Sequence, residues 1–75
     1  MEKFKKQLGE NIKNLRKKLR LSITEFAKGV KVSANSVKSW EKAEVLIRGK
    51  SFLKILAFIK KYDIKCSVLF ENMDI

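Results

Sequence analysis

Residues 21–40 read LSITEFAKGVKVSANSVKSW, and the fold turns on how this stretch divides. Ser22 followed three residues later by Glu25 is a capping box, in which each side chain satisfies a backbone N–H that the first helical turn leaves without a partner. Leu21 before the cap and Phe26 after it have the spacing of a hydrophobic staple, which sets the angle at which the chain enters the helix. Val32, Ser33 and Val37 repeat cap and staple, with Ser36 standing where a second box would need Glu or Gln.

Two short helices therefore follow one another. Only the residues from Gly29 to Val32 separate them, which leaves room for a tight turn and nothing else. That is the outline of a helix-turn-helix, although the same caps would serve an ordinary helical hairpin in a small bundle.

Outward from this centre the pattern stays helical. Phe4, Leu8, Ile12, Leu15 and Leu19 fall three or four residues apart and line one face of a first helix. Its other faces carry Lys and Arg, concentrated toward the C-terminal end, where the helix dipole favours cations. In the second helix Ile23, Phe26, Ala27 and Val30 form the inner face; in the third, Val37 and Trp40 do, leaving Ala34, Asn35, Lys38 and Ser39 outside. Trp40 reads as core rather than as a stacking platform. Residues 41–50 lack periodicity and read as a loop, with Val45, Leu46 and Ile47 in need of cover. Ser51 is the expected cap of a fourth helix facing inward through Phe52, Ile55, Leu56, Ile59 and Tyr62. Residues 66–70 can add one further turn.

Composition agrees with an all-α domain. The 75 residues include no proline and three glycines, and they suffice for one domain with a small core. Eighteen Lys and Arg against eight Asp and Glu give a formal charge of +10. A polyanion is the natural partner of such a field, although lysine is also the solvated residue that an A·T-rich genome favours. Cys66 is the one cysteine and has no mate for an internal disulfide, and no signal-peptide pattern precedes the first helix. A reducing cytoplasm is the simplest home, and a packed thiol the simplest state. No apolar run is long enough to span a membrane. Without His, clustered carboxylates or a phosphate-binding glycine loop, no enzymatic activity, cofactor or metal site is expected.

Leu8-Gly9, Ile12, Leu15-Arg16, Leu21-Ser22, Glu25-Phe26-Ala27, Val32-Ser33, Val37, Trp40-Glu41, Ser51 and the Leu69-Phe70 pair together resemble the phage-repressor and Cro type of helix-turn-helix domain, the Xre family. The resemblance implies a compact four- or five-helix bundle of the lambda-repressor kind over residues 8–70, its motif at about 22–41, with residues 71–75 a frayed tail. It implies that the third helix lies in the DNA major groove while the second crosses the backbone.

Asn35 would then read a base, since a carboxamide can bond adenine N6 and N7 together. Ala34 would meet a thymine methyl, and Lys38 and Ser39 would reach guanine or a flanking phosphate. Phosphate contacts would fall to Thr24, Lys31, Ser33, Ser36, Lys42, Arg48 and Lys50. Arg16 and Glu41 would form a partly buried structural ion pair.

Three departures from the family pattern stand out. Ile23 replaces a phosphate-binding Gln, so Thr24 or a backbone N–H must substitute. Lys31 replaces the turn glycine, and a lysine at positive φ costs about 1 kcal/mol or more unless Gly29 lets the turn take another path. The loop after Glu41 is longer than the family's and lacks its proline.

The expected function is a sequence-specific transcriptional regulator, a small homodimeric repressor or controller protein on a palindromic operator in double-stranded DNA. The expected dimer surface is the Val45–Ile47 loop with the exposed edge of the fourth helix. A second possibility is an antitoxin or antirepressor whose main contact is another protein, such as a toxin or polymerase. A third is a membrane-active cationic helix, against which the tight caps at Ser22 and Ser33 argue.

Overall fold

Leu8, Ile12 and Leu15 turn fully inward from α1 (Glu2–Lys18) of the computed structural model, with Phe4 and Leu19 half-buried at the two ends of the row. The described residues are 2–47 and 49–73, the side chains of residues 2 and 66 excepted. Arg48, the Cys66 thiol and residues 74–75 of the expected tail lie outside them. Beyond α1 come α2 (Ile23–Val30), α3 (Ala34–Glu41), α4 (Lys50–Lys61) and a single 3-10 turn, Cys66–Phe70. Among the described residues the fold is all-α, and no helix is long and apolar enough to cross a membrane.

One core joins these elements. Phe26, Ala27 and Val30 of α2, Val37 and Trp40 of α3, Ile55, Phe58 and Ile59 of α4, and Leu69 join Leu8, Ile12 and Leu15 of α1 in one buried cluster. The Cα radius of gyration is 11.2 Å, matching the roughly 11 Å that a compact chain of this length should have.

Asn11 is the buried polar residue of this core. Its Nδ2 donates to the carbonyl oxygens of Leu69 at 2.8 Å and Glu71 at 2.9 Å, and its Oδ1 accepts from Gln7 Nε2 at 3.0 Å. The C-terminal segment is thereby tied to α1, and Met73 packs half-buried on the core.

Every α-helix closes in the same manner. An N–H beyond the end bonds back across the last turn: Leu21 to the Arg16 carbonyl at 3.1 Å, Val32 to Ala27 at 3.0 Å, Glu44 to Ser39 at 2.9 Å and Ile64 to Ile59 at 3.0 Å. In each case the preceding residue is left-handed, as a Schellman turn requires. Those residues are Arg20, Lys31, Ala43 and Asp63, with φ of 59°, 70°, 59° and 57°, and none is glycine. Lys31 itself therefore takes the strained conformation, while Gly29 stays inside α2 and does not redirect the turn.

A side chain at left-handed φ costs about 1–2 kcal/mol, partly offset by the greater freedom glycine has in the unfolded chain. Lys31→Gly or Ala43→Gly should therefore stabilise the fold by about 0.5–1 kcal/mol. The expected readout is a raised urea midpoint with unchanged slope.

Two expectations for the fourth helix need correction. α4 starts at Lys50, so Ser51 already lies within it; the N-cap position is Gly49, at φ 62° and ψ −135°, and among the described residues no side chain caps the helix. A capping serine needs extended backbone, which Ser51 does not have. The inward aromatic is Phe58, whereas Tyr62 is 48% exposed. Phe58 meets Phe26 edge-on at 5.0 Å between centroids and Tyr62 at 4.8 Å. In the loop, Ile47 is buried, Leu46 half-buried and Val45 48% exposed, so the core itself covers most of that apolar run.

Candidate nucleic-acid interface

The α2–α3 unit begins with the box at Ser22. The Glu25 N–H donates to Ser22 Oγ at 3.1 Å, and the Ser22 N–H donates to Glu25 Oε1 at 2.8 Å. That backbone bond, with help from the Ser22 hydroxyl, lowers the carboxyl pKa of Glu25 below its ordinary value. A carboxyl with a depressed folded-state pKa adds stability above its unfolded pKa and loses it as pH falls through the folded one. Acidification below the ordinary glutamate range should therefore loosen the start of α2, seen as falling amide protection at Glu25 and Phe26.

At the start of α3 the Ser36 N–H donates to Ser33 Oγ at 3.2 Å, and the two serine hydroxyls share a hydrogen bond of 3.0 Å. Ser33 and Thr24 are exposed at the first turns of their helices. Lys31 is exposed in the turn between them, where its carbonyl accepts from Lys54 Nζ at 3.2 Å. Ile23 is half-buried and packs on the core, so its side chain belongs to the fold.

Periodicity sets the outer face of α3. Asn35, Lys38 and Lys42 stand at i, i+3 and i+7 on one stripe, and all three are exposed. Ala34, Ser36 and Ser39 are half-buried, with Ala34 leaning on the core. Val37 and Trp40 face the opposite way and are buried. Asn35 and Lys38 are thus the fully presented members of the outer set, flanked by the smaller pair. Lys50 is exposed at the start of α4.

The support behind this face is ionic as well as apolar. Arg16 on α1 grips Glu41 at the end of α3 in a two-pronged contact, Nε to Oε2 at 2.7 Å and Nη2 to Oε1 at 3.1 Å. Its Nη1 donates to the Leu21 carbonyl at 2.9 Å, just before the α2 cap. One guanidinium therefore fixes α1, the entry to α2 and the exit of α3 together. The side chains are only 12% and 7% exposed, so water competes weakly. Of the two carboxylates within the motif, Glu41 is neutralised by Arg16, whereas Glu25 keeps its charge at the α2 cap.

Two features went unrecognised in the sequence. Asn11, one helical turn from Leu8 on the apolar face of α1, carries a legible signal, a polar residue inside an apolar stripe. The other is a groove along α1 that opens beside Lys42 and has lysine at five of its ten lining positions; its signal is spread thinly along the helix.

Comparison with curated proteins and with solved structures gives no match. A family model described as helix-turn-helix matches residues 12–64, taking in the α2–α3 unit, the Arg16–Glu41 clasp and α4. The chain belongs to this family, the Xre-like helix-turn-helix domains of DNA-binding transcription regulators.

Proposed function

We propose that the chain is a sequence-specific regulator that acts as a homodimer, a small repressor or controller protein on a two-fold operator. The observation that carries the reading is the exposed stripe of Asn35, Lys38 and Lys42 on a helix anchored from behind by Trp40 and the Arg16–Glu41 clasp. An α-helix fits the major groove, and short polar side chains near its N-terminal end permit the close approach that base reading needs.

In this reading Asn35 bonds adenine through N6 and N7, and Ala34 beside it meets a thymine methyl. Lys38 and Ser39 serve guanine or a flanking phosphate. Thr24, Lys31, Ser33, Ser36, Lys42, Arg48 and Lys50 hold the backbone. The Ser33–Ser36 pair uses one of its two hydroxyl hydrogens internally, which leaves the other for a phosphate oxygen. Asn35→Ala should relax preference at one base position by about 1–3 kcal/mol, while Lys42→Ala weakens all sequences alike. Competition binding against duplexes varied at single positions separates the two; equal loss on every duplex for both variants would contradict the assignment of Asn35.

The proposed dimer surface draws on Val45 of the loop and Leu53 of α4, exposed by 48% and 65%. Ile47, buried in the core, has no part in it. Leu53→Lys should yield a monomer by sedimentation at tens of micromolar and weaken operator binding without altering the helical spectrum. If the unmodified chain is itself a monomer, free and on DNA, the patch belongs to a different protein, and the antitoxin or antirepressor reading takes precedence.

A further inference from the structure

Lys3, Lys6, Lys13 and Lys17 share one face of α1 and line a surface groove of about 690 Å³ that Lys42 closes at the end of α3. All five are exposed. Among the described residues the carboxylates of the groove are Glu10 and Glu41, and Glu41 is already neutralised by Arg16. The helix dipole accounts for Lys17 in the last turn of α1, but it opposes Lys3, which sits in the first turn. A cation held against the dipole on an exposed face is not explained by the stability of the helix.

We propose that this face of α1 is a second DNA-backbone tract, which extends the phosphate contacts beyond the base-reading stripe. The inference rests on the DNA-binding reading. Lys42 links the two surfaces, since it continues the stripe of Asn35 and Lys38 and also lines the groove. From Lys3 to Lys17 the helix rises by about 21 Å, the axial length of about six phosphates of one strand. The occupant is duplex DNA rather than an acidic protein because, among the described residues, no aromatic or large apolar side chain lines the groove. A protein partner draws its affinity from such desolvated anchors, whereas a phosphate backbone asks only for positive charges.

The test compares two variants of equal charge, one with Lys3, Lys6 and Lys13 replaced by Gln and the other with Lys60, Lys61 and Lys65 replaced by Gln. Binding to a mixed-sequence duplex of about 40 base pairs is measured across a salt series, which requires no knowledge of the operator. The α1 variant should lose about 2–3 units of the log–log salt slope and the control less than about 0.5, at about 0.9 unit per phosphate contact. Equal losses in both variants, or none in the α1 variant, would overturn the tract while leaving DNA binding intact. Absence of duplex binding by the unmodified chain would instead defeat the DNA-binding reading on which the tract rests. Capture of poly-glutamate that depends on the three α1 lysines, with the duplex slope unchanged, would assign the groove to an acidic protein and overturn the proposal.

Discussion

Arg16→Ala should remove a large share of the stability of the fold. Removing one member of a buried ion pair costs about 3–5 kcal/mol, because the surviving charge stays out of water without a partner. A domain of this length has a total stability of about 4–11 kcal/mol. The loss is compounded at Leu21, whose carbonyl accepts from the same guanidinium at 2.9 Å. Arg16→Lys should recover only part of it, since an ammonium cannot reproduce the two-pronged grip on Glu41. Replacing both partners together, Arg16→Met with Glu41→Leu, should recover more than either single change, because no charge is then stranded. Urea denaturation followed by helical ellipticity measures each of these variants. A loss below about 1 kcal/mol for Arg16→Ala would mean that the pair behaves as an exposed one.

Phe58→Ala should cost a comparable amount, about 3–5 kcal/mol for an aromatic side chain removed from a filled core. The ring lies edge-on to Phe26 and beside Tyr62, and it also occupies the space above Gly29. A Cβ added at Gly29 would stand 2.6 Å from Phe58 Cε2, too close for the ring to stay in place. Gly29→Ala should therefore destabilise by about 1–3 kcal/mol through overpacking, even though alanine is the better helix former. With Phe58→Leu already in place the same change should become neutral or favourable. The resulting coupling of about 1 kcal/mol or more in a double-mutant cycle would show that the two positions share one space. Additive effects would contradict the contact.

What was legible in the sequence follows the range of the interaction that fixes each feature. The caps at Ser22 and Ser33 act within three residues, so their hydrogen bonds can be read from spacing alone. The same holds for the inward row of Leu8, Ile12 and Leu15, where apolar residues occupy a single face. α4 is different, because Phe52, Leu53, Ile55, Leu56, Phe58 and Ile59 cover more than half of its circumference. Spacing then sets no unique phase, and the packing of Phe58 against Phe26 and Gly29 decides that Phe58 goes in while Leu53 stays out. Ser51 was a plausible cap by residue type, but the left-handed backbone at Gly49 starts the helix sooner.

Asn11 finds its acceptors 58 and 60 residues away, a distance no local pattern can convey. For the interface, the exposure of Asn35 and Lys38 followed from helical period, whereas the half-burial of Ala34 and Ser39 depends on the neighbouring core. Lysine at the left-handed Lys31 position follows neither from spacing nor from propensity; there the geometry of the tight turn prevails over the preference of the residue.

Selection of binding sites from a random duplex pool, carried out in parallel for the unmodified chain and for Asn35→Ala, tests the role of the α3 surface most directly. The expected result is one short two-fold sequence for the unmodified chain, with an adenine in each half-site that the variant no longer selects while the remaining positions persist. Enrichment of no sequence, or of the same sequence with the same adenine by both proteins, would contradict base reading by this face.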